Sequence, residues 1–279
     1  MEMVAASRMK RAQQAVLAGR PYAEKIAEVI HHLAGRLQGG DDEIHPLLKA
    51  RPVKNVLVIL FTADKGLAGA LNTNVIRRTT RFLLNEVNAE TSMVTVGRKG
   101  RDFMVRYGRR LTAEFINLGD RPSLPDIYPI ARVATEEYTG GRVDAVYLVY
   151  TDYVNTLIQK PTVYRLLPVD VAGTGDEGSM PGDNQPHQAE GGEVEYIYEP
   201  GPGEVLSQLV PRYVEVRIYQ ALLEHLASEQ SARMVAMRNA TQSAKDMISD
   251  LTLAYNKLRQ ANITREIIEV SSGAQSLSG

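Results

Sequence analysis

The sequence predicts an α/β protein in which long N- and C-terminal helices form an antiparallel coiled coil beside a central Rossmann-like open α/β sheet domain. Three observations carry this. Apolar residues recur at alternating steps of three and four near both ends of the chain, β-branched runs alternate with amphipathic stretches between them, and a Gly- and Pro-rich acidic stretch precedes the last helix.

The first helix is marked by Ala5, Met9, Ala12, Val16, Gly19, Ala23, Ile26, Ile30, Leu33 and Leu37, a heptad seam. Pro21 removes one hydrogen bond from it and predicts a bend, and Gly39-Gly40 ends it. From Lys54 the period changes, because Asn55-Val56-Leu57-Val58-Ile59-Leu60-Phe61 is a continuous apolar run typical of a strand buried on both faces. Helical stretches near 72–89, 98–107 and 123–140 then alternate with strand-like runs Ser92 to Val96, Leu111 to Asn117 and Ala145 to Tyr150. That alternation is the pattern of an open α/β sheet. Residues 171–204 hold eight acidic residues and no Lys or Arg, so this stretch reads as a solvated loop. After Pro200-Gly201-Pro202-Gly203 the chain is helix-compatible almost to its end, with Pro211 either a kink or the first turn. Met237, Ala240, Ala244, Met247, Leu251, Ala254, Leu258 and Ala261 form a second seam, which predicts that the two seams cover each other. These changes divide the chain into 1–50 (coiled-coil helix), 51–170 (sheet domain), 171–203 (acidic loop and foot) and 204–279 (coiled-coil helix).

Composition narrows the function. Thirty-two Lys and Arg against 33 Asp and Glu give a formal net charge of -1, which argues against a general nucleic-acid binder. The charge is unevenly placed: 1–38 and 231–268 each carry six basic and three acidic residues. Both helices are therefore basic while the 171–204 stretch is acidic. Without Cys there is no disulfide framework, thiolate zinc site or cysteine nucleophile. The apolar runs are strand-sized, below the ~20 residues of a membrane span, and the N-terminus lacks a secretory pattern. The chain is expected to stay where it is made.

Few motifs suggest chemistry. Thr62-Ala63-Asp64-Lys65-Gly66-Leu67-Ala68-Gly69-Ala70-Leu71-Asn72 sits between a strand and a helix, where α/β folds often bind phosphates, but it holds neither GxGxxG nor GxxxxGK[ST]. It reads as a structural tight turn. Ser7-Arg8-Met9-Lys10 spells S-x-x-K without its companion boxes, and adjacent His31-His32 point in different directions on a helix. Asn262-Ile263-Thr264 matches a glycosylation acceptor with no secretion signal to support it. No catalytic residue, metal or cofactor is expected. What remains is a basic hairpin rich in small residues that extends past its sheet domain, and a surrounding partner would cover it.

Met1 to Arg11, Arg20-Pro21-Tyr22-Ala23-Glu24-Lys25, Asp64 to Asn72, and Leu226-Ala227-Ser228-Glu229-Gln230-Ser231-Ala232-Arg233-Met234 resemble the gamma-subunit family of F-type ATP synthases. The most specific match is Ile263-Thr264-Arg265-Glu266-Ile267-Ile268-Glu269-Val270-Ser271-Ser272-Gly273-Ala274-Gln275-Ser276, the family's C-terminal signature. Two departures stand out. The turn reads Gly-Leu-Ala-Gly-Ala where the family commonly has Gly-Leu-Cys-Gly-Gly, and family members usually carry a further basic helical stretch before the position of Met1. That stretch would pair with the C-terminal tip, which otherwise lacks its coiled-coil partner.

The resemblance implies a non-catalytic rotor shaft that carries torque between a proton-driven membrane ring and a hexamer of three alpha and three beta subunits. It implies a peripheral place at the cytoplasmic face of the cell membrane. Arg259, Gln260, Thr264 and Glu269 match positions facing the catalytic-subunit loops, and Arg8, Lys10, Arg11 and Arg233 lie where the hairpin meets an acidic lever on beta. Tyr196, Tyr198 and Glu199 match the foot that touches the rotor ring and the epsilon subunit. The competing reading is a stand-alone nucleotide-binding α/β enzyme dimerised by its heptads.

Overall fold

The computed structural model describes residues 2–37, 45–169, 198–199 and 201–277. The chain divides into two compact units, Met1–Met234 and Val235–Gly279.

In the first unit, helix α1 (Glu2–Leu37) runs without interruption through Pro21. Its seam behaves as the heptads predict: Ala5, Val16, Ala23, Ile26, Ile30 and Leu33 are all buried. The Gly39-Gly40 stop lies outside the described residues. A short 3-10 turn, Pro46–Leu48, is capped by His45, whose Nδ1 accepts the Leu47 amide at 3.2 Å.

The sheet is built from β1 (Asn55–Phe61), β2 (Glu90–Val96), β3 (Leu111–Phe115), β4 (Ala145–Tyr153) and β5 (Gln159–Leu167) in the order β3-β2-β1-β4-β5. The first four run parallel, and β5 returns antiparallel to β4. Successive side chains of a strand face opposite sides, and β1 uses both. Val56, Val58 and Leu60 join one apolar cluster while Leu57, Ile59 and Phe61 join the other. The first cluster is closed by α2 (Leu71–Asn85) and α3 (Arg98–Arg106), through Val75, Phe82, Leu83 and Met104. The second is closed by α4 (Tyr128–Thr139), by α1 and by the start of α5 (Pro202–Leu277).

The sheet has a fifth strand, β5, beyond the strand-like runs that the sequence marks. The last helix begins at Pro202, which takes a place in the first turn where its missing amide costs nothing, and Pro211 lies within it rather than at its start. The α1 seam is covered by residues 206–231 of α5. Val16 clusters with Leu223 and Ala227, while Ala23, Ile26, Ile30 and Leu33 share a cluster with Leu206, Val210 and Val214. That order makes the pair antiparallel, and its register uses α1 on the part of α5 that precedes Met234. Residues 220–231 are buried almost all round because they lie between α1 and the sheet.

The second unit continues α5 from Val235, and residues 238–274 are exposed throughout. Among its exposed apolar side chains are Met247, Leu251, Leu258, Ile263, Ile267 and Val270.

Candidate partner-contact surfaces

The turn after β1 is held by its own polar side chains. The Asp64 carboxylate accepts the amides of Arg98 and Asn117, each at 2.9 Å, and Asn72 Oδ1 accepts the Ala63 amide at 2.9 Å. Leu67 and Gly69 take positive φ, 66° and 55°, as the tight turn demands. The side chains that a phosphate site would recruit are committed to backbone, while Lys65 is exposed.

Above this turn α5 presents Arg233. Its guanidinium pairs with Glu229 one turn back and donates to the Gly66 carbonyl at 3.4 Å. Burial pushes the Glu229 carboxyl upward; Arg233 opposes this, and Asp120 and Asp64 reinforce it. The Arg233 guanidinium is thus held within the chain by Glu229 and the Gly66 carbonyl.

A second basic group forms on α1. Arg8 pairs with Asp120 at 2.5 Å, Arg11 donates to the Ser7 carbonyl at 3.3 Å, and Lys10 is exposed beside them. Arg8 and Arg11 line a cavity of about 140 Å3 with Asp120 and Arg121. The chain topology therefore adds Arg121, from the loop after β3, to the arginines read from the heptad helix. No local pattern around Arg121 signals this.

A larger cavity of about 240 Å3 adjoins the turn, lined by Asp64, Lys65, Asn117, His225 and Glu229 among others. His225 is buried, and neither ring nitrogen has a hydrogen-bond partner among the described residues. Burial lowers its pKa to about 4, so the ring is neutral at ordinary pH.

In the second unit Arg259, Gln260, Thr264 and Glu269 are all exposed on α5. Gln260 and Thr264 stand one turn apart on a shared face. Glu269 lies near Arg265 Nε at 3.6 Å. At the foot, Tyr198 is half-buried against the core cluster and Glu199 is exposed. Tyr196 lies outside the described residues, as does most of the acidic stretch.

Among the described residues no group of three or more His, Asp or Glu is arranged to hold a metal, and no helix is long and apolar enough to cross a membrane. An α/β body with long terminal helices and no arranged catalytic or metal-holding group among the described residues is the architecture of the central-stalk chains it resembles. A family model described as ATP synthase matches residues 1–277. The chain is 50% identical over 280 residues to the ATP synthase gamma chain of Roseiflexus sp. (strain RS-1), covering 99% of this chain and 91% of that one. It is 45% identical over 279 residues to the gamma chain of Chloroflexus aurantiacus (strain ATCC 29366 / DSM 635 / J-10-fl), again covering 99% and 91%. Among solved structures it matches a chain of the Tetrahymena thermophila mitochondrial ATP synthase central stalk and c-ring, with TM-score 0.64 and 26% identity over 86% of this chain and 97% of that one. The chain belongs to the ATP synthase gamma-chain family, the non-catalytic subunits of the central stalk.

Proposed function

We propose that the chain is the shaft through which torque passes between a proton-driven membrane ring and a catalytic hexamer of three alpha and three beta subunits, in either direction of the reaction. The observation that carries this is the stretch 238–274 of α5. It is exposed throughout, yet it repeats apolar residues at heptad spacing. An exposed apolar seam of this kind marks a surface that a partner covers. The shaft holds no chemistry. An asymmetric helix turning inside a ring of sites presents each site with a different surface, and nucleotide affinity follows the orientation because each state is favoured by differential contacts.

In this reading Arg259, Gln260, Thr264 and Glu269 face the upper loops of the hexamer. Arg8, Lys10 and Arg11, with Arg121, meet an acidic segment of beta. Arg233 holds the Gly66 turn against α5. Tyr196, Tyr198 and Glu199 belong to the foot, which meets the ring and the epsilon subunit. The body sits peripherally at the cytoplasmic face of the membrane.

The test is to assemble the chain with its alpha and beta subunits and record ATP-driven rotation of a probe attached to the sheet domain. Parallel assemblies carry Leu251→Glu with Leu258→Glu. The parent should rotate and the variant should fail to assemble or to rotate. Rotation of the doubly substituted chain at the parent's torque would overturn the reading.

A further inference from the structure

Two elements far apart in the sequence bring three guanidinium groups around one cavity. Arg8 and Arg11 stand one turn apart on α1, Arg121 comes from the loop after β3, and with Asp120 they line a space of about 140 Å3. Three arginines against one aspartate leave the lining at +2. The hydrogen-bond inventory is equally one-sided. Three guanidinium groups offer about fifteen N–H donors and no acceptor. Arg8 Nη1 gives one to Asp120 at 2.5 Å, and Arg11 turns Nε and Nη2 back to Ser7 at 3.3 and 3.4 Å. Arg121 makes no hydrogen bond or ion pair among the described residues.

We propose that this cavity is a binding site for one phosphoryl group, carried by inorganic phosphate or by a phosphate ester.

Charge and size both fit. A phosphoryl group carries roughly −1.5 to −2 at pH 7, which matches the lining. The space equals a few water molecules at ~30 Å3 each, enough for a tetrahedral oxyanion and too small for a larger organic ligand. Arginine forks meet phosphate oxygens two at a time, which a halide cannot exploit. Asp120 is the one carboxylate in the lining, and Arg8 already engages it.

The backbone under these side chains is fixed from both sides. Buried Ala5 and Val16 seat α1 before and after Arg8 and Arg11. The loop is pinned at its start by the Asn117 amide, which donates to the Asp64 carboxylate at 2.9 Å. Beyond Arg121, the Tyr219 hydroxyl donates to the Pro122 carbonyl at 3.3 Å, and the Ser123 amide and hydroxyl both donate to Asp126 at 2.7 Å. Binding therefore needs only side chains to be ordered, which keeps its entropic cost small. In the proposed shaft the same arginines face an acidic segment of beta, and an occupied cavity would take them out of that contact. The site itself does not depend on that reading, because every residue that lines it belongs to this chain.

The experiment uses the full free chain with nitrogen-15 in its arginine side chains. Inorganic phosphate should produce saturable shifts in the Nε signals of Arg8, Arg11 and Arg121, and chloride at the same ionic strength should not. Arg121→Gln, at an exposed position, should weaken phosphate binding about tenfold. Arg106→Gln, an exposed arginine at the end of α3, should leave it unchanged. A second arm uses adenosine monophosphate: tighter binding than phosphate assigns the site to an ester, and equal or weaker binding assigns it to free phosphate. Equal shifts with chloride would overturn the proposal, since they report screening alone. So would phosphate binding at parental affinity by Arg121→Gln, or equal weakening by Arg106→Gln. None of these outcomes bears on rotation, so failure here leaves the torque reading to its own test.

Discussion

Asn55 and Asp144 bind each other twice: the Asp144 amide donates to the Asn55 carbonyl at 2.8 Å, and the Asn55 amide donates to the Asp144 carboxylate at 3.0 Å. The same carboxylate takes the Lys54 amide at 2.9 Å, so one side chain starts β1 and β4 together. The backbone bonds from Lys54 and Asn55 hold the Asp144 carboxyl below its ordinary 3.8. A depressed folded-state pKa stabilises above the unfolded value and ceases to do so as pH falls through the folded one. Asp144→Asn should therefore be less stable than the parent at neutral pH, and the gap should close on acidification below 3.8. Urea midpoints over an acid pH series check this.

Gly97, just before α3, has φ 102°, and a Cβ there would lie 1.9 Å from the Thr62 carbonyl oxygen. Gly97→Ala combines a forbidden conformation with a backbone clash that no rotamer relieves. A loss of about 3 kcal/mol or more is expected, read by urea unfolding of the full chain.

The two seams should respond differently to truncation. Leu33 is fully buried in the cluster that α1 shares with the sheet, α4 and α5, so Leu33→Ala should cost about 2–5 kcal/mol in the free chain. Leu258 is 65% exposed, so Leu258→Ala should change free-chain stability by no more than about 0.5 kcal/mol while weakening assembly with the hexamer. Comparable destabilisation of the free chain by both substitutions would show that the C-terminal seam is covered from within.

His225 should make the chain sensitive to mild acid. Its folded pKa of about 4 lies below the ordinary 6.5, so unfolded molecules gain a proton first as pH falls. The stability it contributes is complete above 6.5 and drains away toward 4, a change of up to about 3 kcal/mol. Glu229, beside the same cavity, titrates in the opposite sense, so the comparison must be with His225→Leu. That variant should lose less stability than the parent between pH 7 and about pH 5.

Much of the fold was legible from residue spacing, and the exceptions have physical causes. The α1 seam is readable because one stripe of the helix is buried and the rest is wet, and β1 because both its faces are covered. Strand β5 is an edge strand, so Gln159, Lys160, Pro161 and Arg165 are tolerated and break the apolar run that marks a buried strand. Residues 206–231 hid their role for the opposite reason. Enclosed on most sides, they have no wet face to create a period, and Arg217, Gln220 and Glu224 sit among the apolar residues. Spacing identifies heptads but not which heptads pair. For the candidate surfaces, the basic residues of α1 were legible as charge on a helix. Arg121 and Asp120 reach Arg8 only through the folded β3 connection, and the Arg233–Glu229 pairing depends on burial that no charge count records.

The uncovered run 238–274 also bears on how a cell must make this protein. Monomeric proteins seldom show continuous apolar patches beyond a few hundred Å2, and chains that do are drawn into aggregates or degraded. Among the described residues, Met247, Leu251, Leu258, Ile263 and Ile267 stand in water. On the proposed reading, a copy that meets no partner is the one most exposed to chaperones and proteases.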